Sequence, residues 1–230
     1  MNLQETDPEF MERFEHFALH EVVSEENQSL EEQTRSIVIL AALIGCQGTD
    51  AYREMLPQAL RLGVTPVMVK EIVYQAADYL GYARMLPFLK ITNEILIRHG
   101  VPLPLDGQAT TTPDNRLEKG VQIQTEILGE QMKEAWKNGH INRWLAANCF
   151  GDYYTRTGLT LAQRELITFC FLMAQGGCEP QLIAHAKGNI NLGNDKELLI
   201  RVVSQCLPYI GYPRSLNALR CVNEVEDAQS

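Results

Sequence analysis

The heptapeptide PYIGYPR, residues 208–214, occurs earlier in the chain in a closely related form, DYLGYAR, residues 78–84. Their glycines are 130 positions apart (211 − 81), and Gly63 and Gly193, which end the preceding helical patterns, have the same separation (193 − 63). The apolar face between these landmarks recurs at this shift, with Leu199, Val202, Val203, Cys206 and Ile210 in place of Val69, Ile72, Val73, Ala76 and Leu80. Matched landmarks in the same order predict a duplicated helical unit.

Helix start and stop signals surround the repeated segments. Thr65-Pro66 predicts an N-cap followed by a first-turn proline, and Gly63 and Gly81 predict helix ends. Ser29 to Glu32 reads as a capping box, and Pro57 is expected to kink or split the helix that ends at Gly63. No strand-like alternation of useful length occurs. We therefore predict an all-α fold in which two related helical units pack together.

The composition changes between the two units. Residues 101–115, VPLPLDGQATTTPDN, are rich in Pro, Gly, Thr and Asp and show no periodicity, which is typical of a linker. We therefore predict an N-terminal repeat over residues 1–100, a linker over 101–115 and a C-terminal repeat over 116–230.

Composition also limits the classes of function. Hydrophobic residues make up 45% of the 230 positions, and no apolar run approaches the roughly 18 to 20 residues of a membrane span. The first residues, MNLQETDPEFMERF, lack the basic and apolar regions of a signal peptide. A net charge of −9 without a basic patch argues against nucleic-acid binding. The six cysteines form no CxxC pair or zinc-type spacing, so we expect reduced thiols in a cytoplasmic protein that binds neither membranes nor nucleic acids.

The segment GCEPQLIAHAKGNINLG, residues 177–193, is the centre of the candidate site, because it holds a cysteine, a carboxylate and a histidine in one helical run. Positions kept in both repeats are those that a shared fold needs. Glu165, Cys178 and His185 are not kept. In the first repeat the corresponding residues are Ser36, Gly48 or Thr49, and Met55. If the chain has one site, we expect the second repeat to carry it and the first to act as a structural partner.

At these residues the chain resembles the carboxymuconolactone decarboxylase family, which includes alkylhydroperoxidase D. The matching segments of the second repeat lie within 116–226 and are RLEKG (116–120), EILGE (126–130), GDYYTRTGL (151–159), QRELI (163–167), HAKGNINLG (185–193) and YIGYPRSLNAL (209–219). The first repeat resembles the family more weakly, mainly in TRSIVILAAL, ALRLGVTP and YLGYAR. The resemblance implies all-helical subunits that associate through apolar surfaces, so we expect a homo-oligomer, with a trimer of tandem chains favoured.

The decarboxylases of this family imply one chemistry for the site. Loss of CO₂ puts negative charge into an unsaturated lactone, and the protein must then return a proton without a cofactor. An imidazole suits this task, and His185 stands at the position of the family's histidine. Arg156 and Arg164 stand at family arginine positions and are candidates for binding the carboxylate of a small-molecule substrate. Both arginines are equally compatible with ion pairs at helix ends.

The peroxidases of the family imply a second chemistry. They use a glutamate, a CxxC pair and a histidine, and Glu165, Cys178 and His185 match the glutamate, the first cysteine and the histidine. Gln181 replaces the second cysteine, which is the resolving thiol. A one-cysteine variant with an outside thiol stays open, because a helix N-terminus is expected to lower the pKa of Cys178.

Three hypotheses follow from the sequence. The favoured one is a cofactor-free lyase for a small carboxylated lactone or related acid. The alternatives are a thiol-dependent peroxidase and a non-catalytic helical assembly whose site has decayed, and a closed pocket around His185 would favour the last.

Overall fold

All the regular elements of the first repeat are helices within residues 2–100. The computed structural model describes residues 2–225. The chain begins with three short helices, α1 (Leu3–Thr6), α2 (Pro8–His16) and α3 (Val22–Ser24), with a π-helical turn at Phe17–Glu21 between the last two. Four longer helices complete the repeat: α4 (Glu32–Gly45), α5 (Thr49–Arg61), α6 (Pro66–Leu80) and α7 (Tyr82–Arg98).

The second repeat follows a segment without helix that includes the predicted linker. Its elements are α8 (Arg116–Leu128), 3₁₀ turns at Glu130–Met132 and Ala135–Lys137, α9 (His140–Trp144), a π-helix at Leu145–Tyr154, α10 (Leu161–Gln175), α11 (Glu179–Asn191), α12 (Lys196–Ile210) and α13 (Tyr212–Glu224). Helices α11, α12 and α13 begin 130 positions after α5, α6 and α7 (179 − 49, 196 − 66, 212 − 82). The predicted all-α tandem repeat is therefore confirmed. Within residues 2–225, no helix combines the length and apolarity that crossing a membrane requires.

Several predicted helix boundaries are present in the structure. The Thr65 side chain accepts a hydrogen bond from the Met68 backbone N–H at 3.2 Å and caps α6. Gly63 and Gly81 have φ angles of +91° and +82°, which side-chain-bearing residues rarely adopt. These local signals therefore end α5 and α6 where the sequence indicates.

Two local predictions differ from the structure, the second of them in part. Glu31 caps α4 instead of Ser29, because the Glu31 carboxylate accepts hydrogen bonds from two first-turn backbone N–H groups, at 3.0 and 2.9 Å. Pro57 does not split its helix, since α5 runs unbroken through it; a kink at this residue stays a prediction. A proline removes one backbone donor, and the buried side chains of Tyr52 and Leu56 on the same helix hold it against the core.

The two repeats share one hydrophobic core, in which α4 packs against α10. The helices approach so closely that a Cβ atom added at Gly45 would lie 2.8 Å from Cβ of Ala174. Ala174 is the counterpart of Gly45, at the shift that relates Arg35 to Arg164 (129 positions, 174 − 45 and 164 − 35). A residue that meets its own counterpart lies on an approximate two-fold axis. This axis therefore relates the two repeats. Only small residues fit where it passes between α4 and α10.

Polar bonds cross the same junction in a reciprocal pattern. Arg164 Nη1 donates to Gln75 Oε1 at 2.9 Å, and Arg35 Nε donates to Gln205 Oε1 at 2.7 Å. Both glutamines are fully buried. Arg164 also pairs with Glu71 of the first repeat at 2.9 Å. Buried charges need such partners, so the arginines specify how the repeats dock.

Replacing Glu71 by Gln should lower the free energy of unfolding by about 3–5 kcal/mol, because Arg156 and Arg164 both lose the buried carboxylate that they share. Chemical denaturation measures this change. The matched control is Glu94→Gln, which breaks more exposed pairs with Arg53 and Arg98. Water can replace that partner, so the control should be nearly neutral. Equal effects of the two substitutions would show that the Glu71 pairs do not stabilise the junction.

Candidate active site

A cavity of about 580 Å³ lies where α6 of the first repeat meets the second repeat. The first repeat contributes Asp78 and Tyr79 from the C-terminal end of α6. The second repeat supplies the other lining residues, many of them apolar: Leu128, Leu145, Cys149, Phe150, Leu172, Gln175, Gly177, Cys178, Gln181, Ala184 and His185. Two of the three predicted catalytic residues, Cys178 and His185, therefore share one cavity.

Glu165, the third predicted catalytic residue, supports His185 and does not line the cavity. Its Oε1 atom lies 2.6 Å from Nδ1 of His185. Glu165 is fully buried, and His185 is 7% exposed. A carboxylate at Nδ1 orients the imidazole ring and favours the tautomer with the proton on that nitrogen. The Nε2 atom is thereby left for proton transfer with a ligand.

A group of buried hydroxyls completes the surroundings of Glu165. The Tyr154 hydroxyl donates to Glu165 Oε2 at 2.9 Å and also lies 2.7 Å from Thr168 Oγ1 and 2.8 Å from the Tyr79 hydroxyl. Because Tyr154 has a single proton, Thr168 and Tyr79 act as donors to it. Burial raises the pKa of both tyrosines well above its usual value. They are neutral donors, and Glu165 accepts hydrogen bonds at both oxygens.

Gly188 allows α11 to approach the carboxylate. A Cβ atom at Gly188 would lie 2.5 Å from Glu165 Oε1 and 2.7 Å from Ile127 Cγ2. In the first repeat the corresponding residues are Gln58 (188 − 130) and Ser36. The second repeat thus has both the glycine and the glutamate, and the first repeat has neither. Gly188 is not among the residues predicted from the sequence, although a glycine inside a predicted helix is a signal of close packing.

The structure contradicts the expected acidity of Cys178. This residue is the N-cap of α11, and its thiol is partly buried and lies 3.4 Å from the Leu172 carbonyl oxygen, to which it donates. Burial raises the pKa of the thiol; a hydrogen bond from Gln175 lowers it, and the nearby charge of Glu179 raises it further. Cys178 is therefore a neutral thiol near neutral pH, and it lies in the cavity wall.

The two arginines predicted to bind substrate do not line the cavity. Arg156 makes a two-point ion pair with Glu71, with distances of 2.8 and 2.9 Å. Arg164 is fully buried and donates to Glu71 and to the carbonyl oxygens of Arg156 and Thr157, each at 2.9 Å. Their common partner, Glu71, belongs to the first repeat. The sequence of the second repeat therefore gives no sign of these ion pairs. Both arginines therefore belong to the junction between the repeats.

Asp78 lines the cavity and is not among the residues predicted from the sequence. Its Oδ1 atom accepts a hydrogen bond from Asn148 Nδ2 at 2.9 Å, whereas Oδ2 is buried and has no hydrogen-bond partner. Burial, and then the charge of Asp152, raise the pKa of Asp78 to about 7. Pro208 is its counterpart (208 − 130). The difference between the repeats that marks Glu165 as a candidate therefore marks Asp78 as well.

Comparisons with known proteins agree with this architecture. The model of the carboxymuconolactone decarboxylase family matches residues 8–94 and, a second time, residues 140–224. A 4-carboxymuconolactone decarboxylase from Acinetobacter baylyi is 28% identical over 126 residues, which cover 49% of this chain and 87% of that protein. The two family matches together include most of the chain and fall on the two helical repeats. The chain belongs to the carboxymuconolactone decarboxylase family and carries two copies of its helical unit in tandem.

Proposed function

We propose that this protein is a cofactor-free lyase that removes CO₂ from a small carboxylated lactone or a related acid, with His185 as the acid–base residue. The observation that carries the proposal is the Glu165–His185 pair in the wall of a largely apolar cavity. Similarity to a relative named 4-carboxymuconolactone decarboxylase supports it. A cavity of about 580 Å³ beside His185 argues against a decayed, closed site.

The proposed reaction uses one proton and needs no redox step. The bond between the lactone carbon and the carboxylate breaks, CO₂ leaves, and the electron pair moves into the lactone as an enolate. Protonated His185 then transfers its Nε2 proton to carbon and is reprotonated from water. Before the transfer, Glu165 stabilises the positively charged ring, because its carboxylate contacts Nδ1 at 2.6 Å.

The apolar part of the cavity wall favours the same step. Leu128, Leu145, Phe150 and Leu172 line the cavity beside His185. Moving a carboxylate out of water is costly because its charge is concentrated on two oxygens. The enolate-like transition state spreads this charge over the ring and loses less hydration. The cavity therefore destabilises the ground state relative to the transition state.

Replacing His185 by Gln should lower kcat for CO₂ release by about 100-fold or more, because the proton donor is lost. Glu165→Gln should lower it by about 10- to 100-fold, because the ring loses its orienting charge. Release of CO₂ from a panel of unsaturated carboxylated lactones measures both effects. His99→Gln, at an exposed histidine outside the cavity, is the matched control. Unchanged turnover in His185→Gln on an accepted substrate would refute the assignment.

Gly188→Ala should lower kcat by about tenfold or more without changing KM, because the new methyl group displaces the Glu165 carboxylate and leaves the cavity wall intact. Steady-state kinetics on the same substrate separate the two parameters. Gly107→Ala is the control, since nothing lies within 4 Å of an added Cβ there. A rise in KM at constant kcat would show that Gly188 does not act through Glu165.

The second candidate function is a thiol-dependent peroxidase, and the observation that favours it is the presence of Cys178 in the same cavity as His185. The raised thiol pKa argues against it, because the thiolate is the nucleophile.

Alkylation of Cys178 by iodoacetamide should therefore be slow near neutral pH and should accelerate about tenfold per pH unit up to and beyond 9.0, the usual pKa of a cysteine thiol. Mass spectrometry of each cysteine measures these rates, and Cys46, the other partly buried thiol, is the internal reference. Fast alkylation of Cys178 near neutral pH, together with hydroperoxide consumption that disappears in Cys178→Ser, would instead establish the peroxidase.

A further inference from the structure

Thr168 is a fully buried threonine of α10 that lies outside the cavity. Its counterpart in the first repeat is Ile39 (168 − 129). The glutamine that contacts it, Gln75, is by contrast kept in both repeats, as Gln205 in the second (205 − 130). A glutamine thus serves the packing of the repeats on each side of the junction, whereas the threonine hydroxyl occurs only on the side of His185.

The hydrogen bonds around Thr168 have a fixed direction. Arg164 has only donors, so its Nη1 atom, at 2.9 Å, fixes the side-chain oxygen of Gln75 toward it. The amide nitrogen of Gln75 therefore donates to Thr168 Oγ1 and to the carbonyl oxygen of Arg164, both at 2.9 Å. Among the described residues, the Thr168 hydroxyl has one other partner, the Tyr154 oxygen at 2.7 Å, and donates to it. The single proton of Tyr154 is thereby directed to Glu165 Oε2, at 2.9 Å.

A second donor reaches Tyr154 from the same helix of the first repeat, α6. The Tyr79 hydroxyl donates to the Tyr154 oxygen at 2.8 Å, and the Cys149 thiol donates to the Tyr79 oxygen at 3.6 Å. Tyr154 thus accepts two hydrogen bonds and donates one. Hydrogen bonds in a chain polarise one another, so a hydroxyl that accepts them becomes a stronger donor. Both branches therefore strengthen the hydrogen bond that Glu165 receives.

We propose that Thr168 and Tyr154 are positioning residues for His185, because they are the last two members of a one-way chain of donors that ends at Glu165. Hydrogen bonds to a carboxylate favour its charged form. The Oε1 atom, 2.6 Å from Nδ1 of His185, then leaves the shared proton on the imidazole. Nε2 is thereby kept as the nitrogen that gives up and regains the proton of the reaction. The inference rests on the proposed function, in which His185 is the acid–base residue.

The experiment compares Thr168→Val with Thr168→Ser in the full chain. Valine has nearly the shape of threonine but removes the hydroxyl, whereas serine keeps it. The Gln75 amide still donates to the Arg164 carbonyl oxygen in Thr168→Val, so this variant should fold. The matched control is Thr92→Val, because Thr92 is also fully buried and lies 2.7 Å from a tyrosine hydroxyl, that of Tyr52, but is not part of this chain of hydrogen bonds. Chemical denaturation compares the stability lost by the two valine variants.

NMR of isotopically labelled imidazole nitrogens reports the position of the proton without any substrate. The His185 signals are identified by their absence in His185→Gln. At a pH at which the ring is neutral, wild type should show a protonated Nδ1 and an unprotonated Nε2. In Thr168→Val the Nδ1 signal should move toward that of an unprotonated nitrogen, because a weaker donor at Oε2 lets Glu165 draw the shared proton. Thr168→Ser and Thr92→Val should leave the signal at its wild-type position.

Steady-state kinetics on an accepted lactone supply the second readout. Thr168→Val should lower kcat by about fivefold, the effect of one hydrogen bond. KM should stay constant, because Thr168 does not line the cavity. Tyr154→Phe removes the last donor to the carboxylate and should lower kcat by about 10- to 100-fold. Thr168→Ser and Thr92→Val should keep the wild-type values.

Two results would overturn the proposal: an Nδ1 signal in Thr168→Val at the wild-type position, or equal losses of kcat in Thr168→Val and Thr92→Val. The second result would show that a buried hydroxyl affects activity through stability alone. CO₂ release by wild type from unsaturated lactones tests the lyase separately. Its absence would refute the proposed function, while the nitrogen signals still decide whether the chain of donors holds the proton on His185.

Discussion

A buried chain of hydrogen bonds connects the junction of the two repeats with the candidate catalytic histidine. The bonds run in order through Arg164, Gln75, Thr168, Tyr154, Glu165 and His185. Each of these residues is buried, and each of these hydrogen bonds joins two different helices. Separating the repeats would leave several of these groups without partners in the core, which is unfavourable. The hydrogen bonds that dock the repeats therefore also fix the geometry around His185.

The duplication keeps the packing symmetric and makes the chemistry asymmetric. Gly45 and Ala174 meet on the approximate two-fold axis, and the Arg–Gln bond occurs on both sides of it. The ion pair between Arg164 and Glu71 occurs on one side only, because the counterpart of Glu71 is Arg201 (201 − 71 = 130). The first repeat has Met55 and Ser36 in place of the histidine and glutamate of the site. It supports the second repeat through its helix α6.

Burial has one electrostatic consequence throughout the cavity. It raises the pKa of the Cys178 thiol, of the Tyr79 and Tyr154 hydroxyls and of the Asp78 carboxyl. Each of these groups is thereby biased to its neutral form, in which it donates hydrogen bonds. Such surroundings favour an anion that forms and is protonated in the site. They disfavour a thiolate nucleophile, although both chemistries occur in the family that the sequence resembles.

The sequence by itself determined the helices, their duplication and the identity of Glu165, Cys178 and His185 as the groups that differ between the repeats. These conclusions depend on periodicity and on caps that act within one or two turns, such as Thr65. Only the tertiary structure decided that Glu71 forms ion pairs with Arg156 and Arg164. These arginines follow Glu71 in the sequence by 85 and 93 positions. It also decided that Asp78 enters the cavity and that Cys178 is a neutral thiol. Long-range partners and loss of hydration are properties of the packed chain, and they leave no signal in the spacing of nearby residues.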